Sequence, residues 1–387
     1  MPFENPLKED QYIKRINERA KDVRGEYFRD QTAIIHSMPY RRLKHKTQVY
    51  FSPNNDHICT RIEHALHVAT IAATISKGLG LNSDMAYAIG LGHDLGHAPF
   101  GHAGETVLNL KCKEIGGFIH EIHGLRVTDV LGSRGVGLNL TYGVRDGIIC
   151  HCGESPDQKI RPRTEMLDLN QIKKRNKLPS SWEGCVTRMA DRIAYLGRDL
   201  EDSIDGGFVE KEDIPEIVQK ELGKSNGEII DNLVIDVLTN SIKEGQIGFS
   251  DSKFEVLMEL YKFSVEKIYS HEKIIRYRTY CERIITELFD YLVNLYNKWD
   301  SDFQAYFNSP CPLDKRFGWY LGKMEKIYKK EKSGAIAIVR DYVAGMTDLY
   351  ALKCMKEISL PEELSFDRRF SMPNKANSAD AKSRAAD

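Results

Sequence analysis

The chain has 387 residues, enough for one large or two modest domains with a sizeable core. A hydrophobic fraction of 41% and a charged fraction of 29% are ordinary for a soluble globular protein, and a formal net charge of −1 gives no global field that would favour a nucleic-acid or membrane partner. No apolar run approaches the ~18 residues of a membrane span, and the first residues contain no apolar signal region, so we expect a cytoplasmic protein.

We predict an all-α fold, because apolar residues recur at helical spacing and no segment shows the sustained alternation of a strand. In the N-terminal segment, Tyr12, Ile16 and Ala20 lie about one turn apart, which favours helix over residues 1–31. The stretch 41–46 then carries five basic or imidazole side chains. These side chains either line an anion site or form a solvated helix face.

The clearest early helix is predicted over residues 60–79, where His64 heads an apolar stripe at spacings of three and four. The other members of the stripe are Val68, Ile71 and Ile75. His64 therefore faces the interior, one turn from Arg61. A single inward histidine is usually a hydrogen-bonded core residue, but His93 and Asp94 follow at the end of the next predicted helix. We therefore favour a metal-ligand role for His64.

Residues 93–105 hold three His, one Asp and one Glu, interrupted by three Gly and one Pro. Closely spaced imidazoles and carboxylates suit Mn²⁺, Fe²⁺, Ni²⁺ or Mg²⁺. The segment contains no cysteine, which argues against a thiolate-type zinc site within it. Neighbouring His93 and Asp94 can reach one ion only where their helix ends or bends, and we expect Gly96 to supply that break.

Two further short helices are predicted over residues 117–131 and 142–150. His120 and His123 belong to the first of them. They either reach the same cavity as His64 or only stabilise the start of their own helix.

The eight cysteines form no C-x-x-C pair, so we expect free thiols. Cys150-His151-Cys152 could suggest a metal site. Two thiols and an imidazole cannot easily converge from three successive residues, however, and we expect ordinary packing there. The polar residues 153–181 predict a long loop, and loops of that length are usually functional or mobile.

The helix predicted over residues 184–204 is strongly amphipathic. Its apolar face comprises Val186, Met189, Ile193, Leu196, Leu200 and Ile204. A second stripe, spaced four residues apart, comprises Asp191, Tyr195 and Asp199. Charges that repeat every turn usually face solvent. A tyrosine between two carboxylates, with Arg192 and Arg198 beside them, also suits a cavity wall that holds a metal and a phosphate.

Residues 206–365 are predicted to be helical throughout, including one helix over 335–352, and the tail over 366–387 is expected to be disordered. Eleven of the twelve histidines lie between His36 and His151. We therefore expect the C-terminal half to act as scaffold, partner surface or regulator rather than to line the site.

We hypothesise that two imidazoles and two carboxylates converge on one divalent ion and leave positions open for water and a substrate oxygen. They are His64, His93, Asp94 and Asp191. Such an ion lowers the pKa of its water and polarises a phosphoryl oxygen. Arg61, Arg192 and the stretch 41–46 could hold further phosphates. His102 lies three residues from Glu105 on one helical face, and the two make a proton-transfer pair.

The order H…HD…D resembles the HD metal-dependent phosphohydrolase superfamily and, within it, the deoxyguanosine triphosphate triphosphohydrolase group. The resemblance covers roughly residues 24–205. It rests on Arg41-Arg42-Leu43-x-x-Lys46-Thr47-Gln48-Val49, Thr60-Arg61-x-x-His64, the segment His93 to Glu105 and Ala190-Asp191-Arg192-Ile193-Ala194-Tyr195. It implies a helical HD domain over 57–205, preceded by a helical segment over 1–56 and followed by a helical region over 206–365.

The resemblance also implies roles for individual residues. His64, His93, Asp94 and Asp191 would be the ligands of one divalent ion, Mn²⁺, Mg²⁺, Fe²⁺ or Ni²⁺. His102 and Glu105 would be the catalytic pair, with His97 and His120 at the phosphates and Arg61 and Arg192 on the triphosphate. Gln48, Tyr195 and Asp199 would contact the sugar, with Tyr195 stacked beneath the deoxyribose. The implied reaction is attack of water on the α-phosphorus of a deoxynucleoside triphosphate, giving a deoxynucleoside and inorganic triphosphate.

Two alternatives stay open. One is another HD-type hydrolase, acting on a cyclic nucleotide, a nucleoside monophosphate or an alarmone, which Gln48 and Tyr195 disfavour. The other is a non-enzymatic binder of nucleotides or single-stranded DNA, which the complete set of ligands and the near-zero net charge disfavour. The resemblance further implies a homo-oligomer, either a tetramer or a hexamer, and a possible activating nucleotide. Which base and which metal are preferred cannot be read from the sequence.

Overall fold

The structure is a computed structural model that describes residues 3–21, 23–51, 55, 57–153 and 156–360. Over these residues the protein is mostly helical, so the predicted all-α class is confirmed, with one very small sheet added. The tail over 366–387, for which disorder is expected, lies outside the described residues. Among the helices that the structure describes, none has both the length and the apolar character needed to cross a bilayer.

The helices up to residue 205 are α1 (Glu9–Tyr12), α2 (Glu26–Ile35), α3 (Met38–Arg42), α4 (Arg61–Gly78), α5 (Ser83–Gly92), α6 (Gly101–Lys111), α7 (His120–Arg126), α8 (Gly132–Gly135), α9 (Tyr142–Ile149) and α10 (Trp182–Asp205). Those after it are α11 (Glu216–Glu221), α12 (Asn226–Glu244), α13 (Asp251–Phe263), α14 (Glu272–Trp299), α15 (Phe303–Asn308), α16 (Pro312–Glu331), α17 (Ala335–Ala344) and α18 (Asp348–Ser359). Two π-helical turns extend α7 and α13 over Val127–Leu131 and Ser264–Tyr269. Strands β1 (Lys159–Ile160) and β2 (Ile247–Gly248) pair antiparallel.

Two predicted helices are wrong in part. Of the residues up to 31 that the structure describes, only α1 and the first part of α2 are helical. The segment between them is held by side chains instead, since Arg15 binds Glu26 and Asp30. The helix predicted over 335–352 is divided into α17 and α18, because cationic side chains from the N-terminal segment bind the carbonyl groups at the end of α17.

The helices α4 and α5 pack closely side by side, and α10 crosses both. The close approach is possible because Gly90 on α5 has no side chain, and a Cβ there would lie 2.5 Å from the Cα of Ala69 on α4. Apolar residues of α4 and α10 share one core cluster, which includes Val68, Ile75 and Met189. The predicted helix over 60–79 and the amphipathic helix over 184–204 thus lie against each other, and His64 and Asp191 face each other between them.

The C-terminal helices pack against the motif that follows α5. Helix α6 lies against α14 and α17, and Phe100 and Leu108 share a core cluster with Leu288 and Val339. The region after residue 206 therefore supports the helix that carries His102 and Glu105.

Candidate active site

The structure brings together the four side chains predicted to hold a metal ion. His64 comes from α4, Asp191 from α10, and His93 and Asp94 from the turn after α5. His64 Nε2 lies 3.0 Å from Asp191 Oδ1, and His93 Nε2 lies 3.8 Å from the same oxygen and 3.4 Å from Asp94 Oδ1. One donor atom from each of His64, His93 and Asp94 falls within 4.8 Å of the others.

The state of His93 fits a metal ligand. Its Nδ1 is 2.7 Å from the carbonyl oxygen of Gly90, so Nδ1 carries the proton and donates it there. Nε2 therefore presents a lone pair, and it is buried with no hydrogen-bond partner. A buried acceptor without a donor is costly, and a divalent ion held by two imidazoles and two carboxylates would satisfy it.

The backbone break that lets His93 and Asp94 share a site comes earlier than expected. Helix α5 ends at Gly92, so both residues already lie in the turn, and Gly96 does not supply the break. Gly96 is needed for a different reason. A Cβ at this position would lie 2.0 Å from the carbonyl oxygen of His120 and 2.2 Å from the nitrogen of Gly124. This close approach places α7 directly behind the turn.

Electrostatics keep both carboxylates of the cluster ionised. Burial raises the pKa of Asp94, but the electrostatic interactions with His93, His97 and Arg61 outweigh burial and hold that pKa well below its usual value. Arg61 donates to Asp94 Oδ2 at 2.7 Å. Burial likewise raises the pKa of Asp191, but its hydrogen bond with His64 and its electrostatic interaction with His93 outweigh burial and lower the pKa to about 2. Both groups are therefore ready to bind a cation at neutral pH.

A cavity of about 690 Å³ opens in front of the cluster. Most of the predicted substrate-contacting and catalytic residues line it: Gln48, Arg61, His97, His102, His120, Arg192, Tyr195 and Asp199. Such a volume is typical of a site for a ligand of nucleotide size. Asp191, Tyr195 and Asp199 form one wall of the cavity. Arg198, which the sequence placed beside this wall, does not line the cavity and donates to Glu201.

The sequence is similar to known proteins over nearly its whole length. A model of the HD domain family matches residues 61–196. A relative from Caldanaerobacter subterraneus subsp. tengcongensis is 39% identical over 348 residues, 90% of this chain and 89% of the relative. Relatives from Desulfatibacillum aliphaticivorans (37% identical, 93% of this chain and 94% of the relative) and Clostridium tetani (35%, 93% and 93%) are equally well covered. All three bear the name deoxyguanosinetriphosphate triphosphohydrolase-like protein.

The chain belongs to this family of HD-domain phosphohydrolases. The cluster of His64, His93, Asp94 and Asp191 carries the H…HD…D order of the HD domain, and all four residues fall within the matched segment.

The predicted catalytic pair of His102 and Glu105 has an unexpected arrangement in the structure. His102 Nδ1 lies 3.6 Å from Glu105 Oε2, which is too long for a hydrogen bond, and the His102 side chain is 79% exposed. Glu105 instead accepts hydrogen bonds from Nδ1 of His120 at 2.9 Å and from the backbone N–H of His120 at 3.1 Å. The carboxylate predicted to orient His102 thus orients His120 in this structure.

Sequence reasoning missed Arg175, which lies in the long polar loop over 153–181. Its Nη2 donates to Glu105 Oε1 and its Nε donates to Glu121 Oε1, both at 2.6 Å. The loop therefore reaches the site, as its length suggested. Nothing in the sequence distinguishes Arg175 from the other basic residues of the loop.

The C-terminal half contributes to the cavity wall, contrary to expectation. Tyr269, Tyr277 and Arg278 line the cavity, and the Tyr269 hydroxyl donates to Asp199 Oδ2 at 2.7 Å. The prediction from the distribution of histidines was wrong on this point, because tyrosine and arginine side chains supply these contacts.

Of the two alternatives for the basic stretch 41–46, an anion site or a solvated helix face, the structure does not support an anion site at the cavity. The residues of this stretch are absent from the cavity wall, and Lys46 is buried, with its ammonium group bound to the carbonyl oxygens of His97 and Ala344. Of the two further histidines, His120 lines the cavity, and His123 packs against the Phe118 ring.

Proposed function

We propose that the protein hydrolyses deoxynucleoside triphosphates to a deoxynucleoside and inorganic triphosphate, with one Mn²⁺, Mg²⁺, Fe²⁺ or Ni²⁺ per site. The observation that carries this proposal is that residues of the HD cluster line a 690 Å³ cavity. The same cavity is lined by arginine side chains that can bind phosphates and by polar and aromatic side chains that can contact a sugar. The names of the relatives, which cover about 90% of the chain, support the same substrate class.

In the proposed reaction, water attacks the α-phosphorus and the bond from phosphorus to the 5′-oxygen breaks. A divalent ion held by His64, His93, Asp94 and Asp191 would acidify the water and polarise a phosphoryl oxygen. The chain's own contribution is to fix those four ligands and to place cations along the triphosphate. Positioning and charge stabilisation account for most catalysis of phosphoryl transfer.

The leaving 5′-oxygen needs a proton, and His102 is the proposed donor. His102 lines the cavity and is exposed to it, so a bound substrate can contact the imidazole directly. Hydrogen bonds of a catalytic group are often long before substrate binds and shorten in the complex. Glu105, 3.6 Å away, can then orient His102 when the substrate draws the ring inwards.

The triphosphate would lie against Arg61, Arg192, His97 and His120. Burial lowers the pKa of His120, but the charges of Glu121 and Glu105 outweigh burial and raise it to about 9. His120 is therefore cationic at neutral pH and attracts phosphate oxygens. His97 stacks on His120 with ring centroids 3.7 Å apart, and burial lowers its pKa well below the usual value, so it stays neutral.

The sugar would be held by Gln48, Tyr195 and Asp199. The amide oxygen of Gln48 is buried without a partner, and Gln48 lines the cavity. A deoxyribose 3′-hydroxyl that donates to this oxygen would remove the cost of leaving it unpaired. Tyr195 offers a flat surface beneath the sugar, where a 2′-hydroxyl would clash.

The test is hydrolysis of the four deoxynucleoside triphosphates by the purified protein with Mn²⁺ or Mg²⁺, with products separated by chromatography. We expect equal amounts of deoxynucleoside and inorganic triphosphate from at least one substrate. Asp94→Ala should abolish turnover while the far-ultraviolet circular dichroism stays native. Release of pyrophosphate or of single phosphates would exclude this reaction and favour another HD-type hydrolase. Steeply salt-dependent DNA binding without turnover of any nucleotide would favour a non-catalytic binder.

A further inference from the structure

A second group of metal-binding side chains lies beside the HD cluster and shares none of its four residues. It consists of His120, Glu121, His151 and Cys152, and one donor atom from each lies within 4.8 Å of the others. Three of these residues are buried, and Cys152 is partly exposed. His120, His151 and Cys152 also line the 690 Å³ cavity, so an ion from solvent can reach them.

Glu121 contributes a buried carboxylate oxygen without a hydrogen-bond donor to the group. The residue is only 1% exposed, and its Oε1 is bound by the Nε of Arg175. Its Oε2 is buried with no hydrogen-bond partner, and it points at the group, 3.4 Å from His120 Nδ1. A buried carboxylate oxygen without a donor is costly unless a cation or a hydrogen bond satisfies it.

His151 presents a free lone pair to the same space. Its Nδ1 lies 2.7 Å from the carbonyl oxygen of Ile148 and donates its proton there, so Nε2 is unprotonated. This is the arrangement in which ligand histidines are usually held, with one nitrogen on a backbone carbonyl and the other on the metal. The ring lies between those of His93 and His120, with centroids 5.0 Å and 5.4 Å away.

Helix α9 ends at Ile149, so Cys150, His151 and Cys152 follow the helix and their side chains point in different directions. The sulfur of Cys150 lies 3.8 Å from Nη1 of Arg163, and Cys150 is not one of the four metal-binding side chains. Only His151 and Cys152 join the group, and the remaining donors come from α7. The geometric objection to three successive ligands therefore does not apply to this pair.

We propose that His120, Glu121, His151 and Cys152 form a second cation site, selective for thiophilic divalent ions such as Zn²⁺ and Co²⁺. Two imidazoles, a carboxylate and a thiolate are a donor set that zinc accepts in tetrahedral geometry. Ligand atoms about 2.0 to 2.3 Å from a tetrahedral zinc lie about 3.3 to 3.8 Å apart. Donors already within 4.8 Å of one another need only small side-chain movements to reach that spacing.

The sulfur distinguishes this site from the HD cluster. Sulfur ligands favour zinc and its neighbours, whereas oxygen ligands favour Mg²⁺ and Mn²⁺. Each ion bound there displaces the thiol proton of Cys152 and one proton of the His120 imidazolium, and both protons are released to solvent. The two sites therefore differ in the ions they select, although His151 lies next to both.

The test is a titration of the metal-free, full-length protein with Co²⁺, monitored by the near-ultraviolet absorption that a thiolate gives when it binds cobalt. We expect two Co²⁺ per chain and a thiolate band in the wild type. Cys152→Ser should lose the band and one equivalent of cobalt. Cys150→Ser, two positions away, is the matched control and should keep both. His64→Ala should keep the band, because His64 belongs only to the HD cluster.

The proposal is wrong if saturating Co²⁺ gives no thiolate band, if the band persists in Cys152→Ser or if it is lost in His64→Ala. If Cys152→Ser does not fold, Glu121→Gln replaces it as the test. That variant should keep the band and weaken the cobalt affinity associated with it by about tenfold or more. An unchanged affinity would contradict the site. None of these measurements uses nucleotide hydrolysis, so they do not depend on the proposed reaction.

Discussion

At the scale of single residues, unpaired donor and acceptor atoms mark the site most clearly. The buried Nε2 of His93, the amide oxygen of Gln48 and Oε2 of Glu121 all lack partners. Folding does not normally leave such atoms unpaired. Each of them lies in or beside the cavity, so each indicates where an ion or substrate would bind.

Replacing Gln48 tests the contact with the sugar. Gln48→Ala removes the unpaired oxygen, so folding should be unaffected or slightly stabilised while the substrate loses one hydrogen bond. A hydrogen bond to a buried group is worth about 1–3 kcal/mol, so we expect kcat/KM to fall about 5- to 150-fold. Steady-state kinetics and urea denaturation measure the two effects. Gln304→Ala, at an exposed position, is the control and should change neither. A loss of stability without a loss of kcat/KM would assign Gln48 a structural role.

The pH dependence of stability tests the environment of Asp199. Burial raises the pKa of Asp199 to about 7, although the hydrogen bond from Tyr269 opposes this. The folded state therefore binds a proton that the unfolded state releases near pH 4, and stability is lost as the pH rises through about 7.

Asp199→Asn keeps an acceptor for Tyr269 and removes the ionisation. Relative to the wild type, we expect the variant to gain roughly 2–4 kcal/mol of unfolding free energy between pH 4 and pH 8, since one pKa unit is worth about 1.4 kcal/mol. Urea denaturation of the metal-free proteins at several pH values measures the difference. A constant difference across that range would show that Asp199 titrates normally.

At the scale of elements, the periodic helices were predictable and the breaks between them were not. The stripes that begin at His64 and Asp191 locate α4 and α10 because helical spacing alone decides which side chains face inward. The position of the break after α5 depends on the contact between the turn and α7. The division of α17 from α18 depends on Lys46 and Arg42, which are about 300 residues away in sequence. Local patterns carry no information about such contacts.

The contact between Gly96 and α7 should not tolerate a side chain. Gly96→Ala would place Cβ 2.0 Å from the carbonyl oxygen of His120, and backbone atoms cannot move aside cheaply. We expect a loss of about 3 kcal/mol or more, together with a large drop in activity. Gly227→Ala is the control, because that position in α12 has open space around it. Thermal or urea denaturation compares the two variants. Equal stabilities would show that the turn and α7 are not in tight contact.

Helix α18 holds the metal-site turn through Asp348. The carboxylate accepts hydrogen bonds from the backbone N–H groups of Thr47 and Phe100, both at 2.8 Å. Phe100 has a left-handed backbone (φ 62°), which is unfavourable for a bulky residue and needs support from its surroundings.

Asp348→Ala leaves these N–H groups without partners. We expect it to cost about 2–4 kcal/mol and to lower kcat, because the turn carries His97 and leads directly into α6, which carries His102. Asp251→Ala removes a carboxylate from an exposed position and should cost much less. Urea denaturation and kinetics under the same conditions measure both variants. If Asp348→Ala were as stable and active as the control, the C-terminal region would have no part in holding the turn.

At the scale of the whole molecule, the fold class and most of the site follow from the first 205 residues. The remaining cavity wall is formed by Tyr269, Tyr277 and Arg278, which the sequence did not identify. Tyr277 and Arg278 lie on α14, which packs on α6, and Tyr269 lies on the π-helical turn after α13, which packs on α10. Their positions at the cavity depend on long-range packing, which no local motif records.

The assembly of the protein stays a prediction. We expect a homo-oligomer, either a tetramer or a hexamer, and an increase in hydrolysis of one deoxynucleoside triphosphate when a second is added. Sedimentation velocity with and without nucleotides, and assays of substrate mixtures, measure these two properties. A monomer at micromolar concentration whose rates in mixtures are no higher than with single substrates would contradict both expectations.

The central claim is that side chains from α4, from the turn after α5 and from α10 hold one divalent ion in front of the cavity. Anomalous diffraction from a crystal soaked in Mn²⁺ tests it most directly. We predict a peak about 2.0–2.2 Å from donor atoms of His64, His93, Asp94 and Asp191. A Mn²⁺ peak at any other position, with Asp191 outside bonding distance of the ion, would contradict the account.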